Sequence, residues 1–198
     1  MPVGRPALTR GIYNFEDATL DVPAEVVLDT SFVIAALNAS EPAHQQAVNY
    51  LQRLTDEQSV LIYNRLLEVE LVEVAFKLAV KERHGRRGWP HKRSDGRVRR
   101  RAGRLAQELR DSWIQVVDTR PSLRIELEEV SDDVLHAMRD WGLASYDAIH
   151  ALTAIYAEAP AIVTLDTGFA DVPAAHLDVY VNSTRVPDCR RQRGGTGR

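Results

Sequence analysis

EVVLDTSFVIAAL, residues 25–37, is the stretch on which the reading of the chain turns. Val26, Val27 and Leu28 form a short, wholly apolar run, as in a strand covered on both faces. Asp29 interrupts it, Thr30 and Ser31 follow, and the apolar run from Phe32 has helical length. A strand passing straight into a helix is the first half of a βα unit. Why a buried strand should end on a carboxylate then needs a reason. Helix capping is the common one, because Asp accepts hydrogen bonds from the free N–H groups of a first turn. Thr30 or Ser31 can do the same, which leaves Asp29 for another role.

The rest of the chain repeats the alternation. SVLIY (59–63), WIQVV (113–117), AIVTLD (161–166) and HLDVYV (176–181) read as further strands. Helical text runs from Phe32 to Leu54 with a break near 38–42, where Pro42 suits the first turn of a second helix. Asn64 reads as the cap of a long helix reaching about Glu82. Helical patterns cover about 122–140 and 146–158, the latter with Ser145 as cap. Apolar strands alternating with helices predict an α/β domain with a mainly parallel central sheet.

Length allows one domain with a proper core and not two, since the chain has 198 residues. We expect a loosely held lead-in over 1–22, the domain over 23–182, and a basic, disordered tail over 183–198. Cys189 is the single cysteine, which excludes a disulfide framework and a cysteine-based metal site. No apolar run approaches the ~20 residues that span a bilayer, and the first residues lack the apolar core of a secretory signal. The expectation is a cytoplasmic protein without a membrane partner.

Residues 81–104 break the rhythm. They hold eleven Lys or Arg against two acids, with glycines and a proline interspersed. They read as a basic insertion, either a loop or a helix extension joined to one. Because the net charge of the chain is −3, the remainder is distinctly acidic. Such segregation suits a surface for a polyanion beside an acidic site. Arg97, Arg99, Arg100 and Arg101 are its candidate phosphate contacts, and Trp89 its candidate for stacking on a base. His44 and His91 read as surface residues, Trp113, Trp141 and His150 as core.

Ligands of an open parallel sheet sit at the carboxyl ends of the strands. Asp29 and Asp166 both stand there, each followed by a threonine. In LLEVELVEVAFKLAV (66–80), Glu70, Glu73 and Lys77 share one helical face. Glu68 lies about 160° away from Glu70, so the two acids cannot serve one site. Asp147 falls in the first turn of an alanine-rich helix that can pack closely. Asp29, Glu70, Asp147 and Asp166 together would make an all-oxygen site, suited to Mg²⁺ or Mn²⁺ rather than zinc. Divalent ions held there can orient a phosphodiester and activate water.

In order along the chain, VVLDTSFVIAAL, EVELVEVAFK, ASYDAIHALTAIYA and IVTLDTGFADV resemble the PIN-domain ribonucleases, most nearly the VapC-type toxins of bacterial toxin–antitoxin pairs. The resemblance spans about 25–182. It implies a three-layer α/β/α sandwich and a site in which Asp29, Glu70, Asp147 and Asp166 bind Mg²⁺ or Mn²⁺. It further implies cleavage of single-stranded or loop RNA, with Thr30, Ser31 or Thr164 supporting the carboxylates. A homodimer held by a small antitoxin is the implied assembly. Asn64 stands where the family pattern leads one to expect Ser or Thr. The alternatives are an RNA-processing nuclease of this fold without an antitoxin, a phosphohydrolase or phosphotransferase using Asp29 as nucleophile, and a binding module with a degenerate site.

Overall fold

A computed structural model describes residues 11–195 apart from Pro90 and Pro160. The chain runs β1 (Ile12–Asn14), β2 (Glu25–Leu28), α1 (Thr30–Leu37), α2 (His44–Asp56), β3 (Val60–Asn64), α3 (Leu66–His84) and α4 (Gly96–Asp118). It continues with β4 (Ser122–Ile125), α5 (Val134–Trp141), α6 (Ser145–Tyr156), β5 (Ala161–Val163), β6 (Asp178–Val181) and α7 (Val186–Gly195). The strands form one sheet in the order β1-β6-β5-β2-β3-β4, and every pairing in it is parallel. The central strands β5, β2 and β3 therefore end side by side.

Alternation of side chains along each strand divides the interior into two cores. Val26, Leu28, Leu61, Ala161, Val163 and Tyr180 face α1, α2, α3 and α4, where Phe32, Tyr50, Leu71 and Trp113 are buried. Val27, Ile62, Ile162, Val179 and Val181 face α5, α6 and α7. The fold is thus the expected three-layer sandwich. A third, small cluster of Ala79, Val80, Val98 and Ala102 joins α3 to α4. Among the described residues no helix is long and apolar enough to cross a membrane.

Several element assignments differ from the reading of the sequence. WIQVV is not a strand but the end of α4: Leu109, Trp113 and Val116 are buried at helical spacing while Gln115 is exposed. A five-residue apolar run carries too few periods to separate the two states. The sheet position falls instead to SLRI (122–125), an edge strand with three exposed residues. The helix expected over 122–140 shrinks accordingly to α5. Ser145 is the first residue of α6 rather than its cap, because Ala144 takes the cap position and makes no side-chain bond.

The ends of the chain are also more ordered than their composition suggests. Residues 12–14 of the expected lead-in pair with β6, Ile12 opposite Val179; residues 1–10 lie outside the described residues. Residues 186–195 of the expected tail form α7, which buries Val186 and Cys189 and bonds the Arg193 guanidinium to the carbonyls of Ala170 and Val172. The basic segment 81–104 is largely helical rather than a loop. α3 runs to His84, a short 3-10 turn follows over Arg86–Gly88, and α4 returns from Gly96.

The α4 assignment carries a direct consequence. Trp113, 2% exposed, packs edge-on against Tyr63 with ring centroids 5.1 Å apart. Urea denaturation should show Trp113→Ala destabilised by about 3–5 kcal/mol, and Gln115→Ala changed by less than about 0.5 kcal/mol. Comparable losses at both positions would contradict the helical assignment.

Candidate active site

The carboxyl end of β2 passes into α1 at Asp29. Its N–H donates to the Val163 carbonyl at 3.0 Å, extending the ladder between β2 and β5. Its side chain is the N-cap of α1 and accepts from Ser31 N at 3.2 Å. The capping expected of Thr30 or Ser31 is therefore done by Asp29, and Ser31 serves Asp29 instead. The Ser31 hydroxyl donates to Asp29 Oδ2, and Thr164 Oγ1 donates to the same oxygen at 2.8 Å. Leu165 N donates to Ser31 Oγ and Asp166 N to Thr164 Oγ1, both at 2.9 Å. These bonds lock the start of α1 to the turn after β5. They also place Asp166 beside Asp29 in an exposed turn, where its Oδ1 accepts from Gly168 N.

Asn64 ends β3 and, from a buried position, accepts from the N–H of Leu66, the first residue of α3, at 2.9 Å, while Arg65 rather than Asn64 takes the cap position. Its amide also donates to Thr153 Oγ1 on α6 at 2.8 Å, holding α3 and α6 together. Glu70 follows on α3. Thr30 Oγ1 donates to its Oε2, and His150 Nε2 lies 2.7 Å from the same oxygen. Glu68 faces elsewhere and pairs with Arg110, which agrees with its helical phase. Glu73 forms a bidentate pair with Arg93.

Gly142, with φ +67°, ends α5 and turns the chain into α6, whose first turn presents Asp147. Asp29, Glu70, Asp147 and Asp166 all line one open cleft of about 990 Å³. Burial and then the charges of Asp29 and Asp166 push the Asp147 carboxyl up to about 6. Burial also raises Asp29, against the opposing charge of His150 and its bonds to Ser31 and Thr164. For His150, burial disfavours the imidazolium, but the bond to Glu70 and the Asp29 and Asp147 charges raise it overall. Among the described residues its Nδ1 has no hydrogen-bond partner, so the ring is oriented through Nε2, which lies against Glu70 and Thr30.

The donor chemistry fits a hard divalent cation. Every donor of the four acids is oxygen, and their mutual repulsion is what a cation would relieve. Among the described residues, Asp29 Oδ1 and Glu70 Oε1 accept no hydrogen bond, the bonds above falling on Oδ2 and Oε2. No three acidic, histidine or cysteine side chains among the described residues are already at the spacing of one ion's ligands.

The family model for the PIN domain matches residues 26–175. The chain belongs to the PIN-domain family. Two solved structures share its fold. One is VapBC2 from Rickettsia felis, bound to a DNA fragment from their promoter, at a TM-score of 0.50 and 16% identity, covering 79% of this chain and 98% of that one. The other is FitAcB from Neisseria gonorrhoeae, at a TM-score of 0.50 and 19% identity, covering 78% of this chain and 96% of that one. No curated protein matches the sequence.

Other candidates fall outside the acidic cleft of this PIN domain. Arg97, Arg99 and Arg100 are exposed on the first turns of α4, while Arg101 pairs with Glu82. Trp89 is half-buried in the α3–α4 cluster, with the Arg93 guanidinium over its ring at 5.3 Å. None of these lines the cleft. The cleft residues to which the sequence reading assigned no role include Tyr146 and Arg185. His150, read as core, is core, 0% exposed, yet it also touches the cleft acids. Its position three residues after Asp147, one helical turn away, was the available signal.

Two measurements follow from these contacts. A carboxyl that is raised when folded binds its proton more tightly than in the unfolded chain, so stability falls as pH rises from about 4 to about 6. In EDTA, Asp147→Asn should match the parent's melting temperature near pH 4 and exceed it at pH 7.5; an equal difference at both would refute the repulsion. His150→Leu removes the donor to Glu70 Oε2 and should cost about 1–3 kcal/mol in urea denaturation, whereas a neutral effect would mean that the bond is idle.

Proposed function

We propose that the protein is a divalent-metal-dependent endoribonuclease, cytoplasmic, and the toxin of a toxin–antitoxin pair. The observation that carries this reading is the convergence of Asp29, Glu70, Asp147 and Asp166, from four separate elements, on one open cleft at the carboxyl ends of the central strands. These four would hold Mg²⁺ or Mn²⁺. Such ions, when bound, supply an activated water and stabilise the charge that develops on a phosphodiester.

The chain's own residues prepare that chemistry. Ser31 and Thr164 fix Asp29 through Oδ2. His150 and Thr30 do the same for Glu70 through Oε2. Fixed ligands lower the reorganisation needed when a substrate arrives. Asp166, exposed and held only within its own turn, stands at the mouth where a polynucleotide would enter. Asp29 is poorly placed for a nucleophile: it is 4% exposed and takes three hydrogen bonds on one oxygen. That counts against an aspartyl-phosphate enzyme.

The toxin role and a protein antitoxin rest on the resemblance to VapC-type proteins and on fold neighbours named as VapBC2 and FitAcB. A homodimer belongs to the same proposal. The Arg97, Arg99 and Arg100 face of α4 is a second, peripheral contact for RNA phosphates.

Incubation of the purified protein with unstructured RNA and Mn²⁺ or Mg²⁺ tests the reading. Cleavage should stop in EDTA and fall at least about 100-fold in Asp29→Asn and Asp147→Asn. Cleavage that persists in EDTA, or in both variants, would overturn it.

A further inference from the structure

Six acidic side chains line the cleft, since Glu41 and Glu73 join the four acids above. A polyanion entering such a cleft is repelled wherever the charge is not offset. Cations held among the four acids would offset it only at the centre. Flanking phosphates need their own partners, and two basic residues line the cleft among the described residues: Lys77 and Arg185. Both are exposed. Among the described residues neither side chain takes part in an ion pair or hydrogen bond, whereas Arg53, Arg93, Arg101, Arg110 and Arg124 are all engaged within the chain.

Their positions bracket the acids. At the sheet edge the order β6-β5-β2-β3 places Arg185 beyond β6, then Asp166 after β5 and Asp29 after β2. Glu70 and Lys77 follow on α3, which leaves β3. Lys77 is seven residues beyond Glu70 on the same helical face, a rise of about 10 Å, so it meets a phosphate other than the one at the acids. Arg185 is held on a firm base. Its N–H donates to the Asn182 carbonyl at 3.0 Å, Ser183 N and Oγ both donate to Glu16 Oε1, and Val186 and Cys189 anchor the helix that follows. It also lies outside the span 26–175 matched by the family model.

Tyr146 is the one aromatic residue lining the same cleft among the described residues. It is 41% exposed, immediately precedes Asp147, and has no aromatic partner among the described residues. An exposed ring beside a phosphate track is a stacking platform for an unpaired base.

We propose that Arg185 and Lys77 bind substrate phosphates on opposite sides of the acidic centre, and that Tyr146 stacks on an unpaired base. The proposal rests on the nuclease reading above. It assigns to the β6–α7 turn a part in holding the substrate strand. Duplex RNA keeps its bases stacked and offers none to Tyr146, so the same three residues favour an unpaired strand.

The test is steady-state cleavage, with Mn²⁺, of a labelled unstructured oligoribonucleotide at several salt concentrations. The variants are Arg185→Ala, Lys77→Ala, Tyr146→Ala and Tyr146→Phe, with Mn²⁺ affinity measured alongside by calorimetry. Arg185→Ala and Lys77→Ala should each raise KM about tenfold and leave kcat and Mn²⁺ affinity unchanged. Each should also make the dependence of log(kcat/KM) on log[salt] shallower by about 0.7. Tyr146→Ala should raise KM about tenfold with the salt slope intact, and Tyr146→Phe should behave as the parent. Cleavage by the parent together with an unchanged KM and slope in Arg185→Ala and Lys77→Ala would overturn the proposal and reassign the pair to a protein partner. A parent that does not cleave would refute the nuclease reading. Anisotropy of the same oligonucleotide then decides the binding claim: affinity lost in Arg185→Ala supports it, and no affinity in the parent overturns it.

Discussion

A carboxylate buried at the end of a central strand must be satisfied by hydrogen bonds, and at Asp29 these come from elements far apart in the chain. Ser31 lies in the first turn of α1, while Thr164 directly follows β5, 135 residues after Asp29. Because Leu165 N and Asp166 N bond to those same two hydroxyls, the network fixes two acids at once. The parallel pairing of Leu28 with Val163 brings the strand ends to one level. The hydroxyls convert that register into the placement of side chains. Site geometry here is inherited from the sheet and finished by two short polar residues.

The second constraint is that four acids cannot all be buried together. Their exposure is graded instead: Asp29 is buried, Glu70 and Asp147 are half-buried, and Asp166 is open to solvent. His150 stands at the closed end, 2.7 Å from Glu70 and 3.9 Å from Asp29, where water cannot screen the charges. At the open end, solvent does the screening. Asp147, between these regimes, has a partial share of both, and its raised titration is the result. An open, acidic cleft is therefore what a tetrad of this kind imposes on a sheet edge.

How much of this was legible in the sequence varied with the kind of signal. The central strands were readable because fully apolar runs bounded by polar residues have few alternatives. The four acids were readable because each interrupts an apolar element at its end or on one face. WIQVV misled because five apolar residues at the end of a polar helix look like a strand in isolation; only Leu109 and the pairing of Ser122–Ile125 decide the matter. SLRI, half charged or polar, carries no strand signal, and it is a strand because β3 offers a free edge. Arg185 was invisible, since an exposed arginine in a basic tail differs from its neighbours only through the fold.

The basic segments show why counting charges is a poor guide to order. Arginine contributes a long apolar stem and a planar donor, so it can build structure as well as repel it. Arg193 ties α7 to the turn after β5 through two backbone carbonyls. Arg93 stacks over Phe76 and Trp89 and clasps Glu73 with two bonds, which fixes the tip of the α3–α4 hairpin to the wall of the cleft. That clasp has an electrostatic effect at the site. With Glu73 engaged by Arg93 and Glu68 by Arg110, Glu70 is the acid in this stretch of α3 that, among the described residues, pairs with no arginine. The hairpin thus sets which carboxylate of an acid-rich helix stays unpaired by arginine, a choice that helical phase alone had made only by elimination.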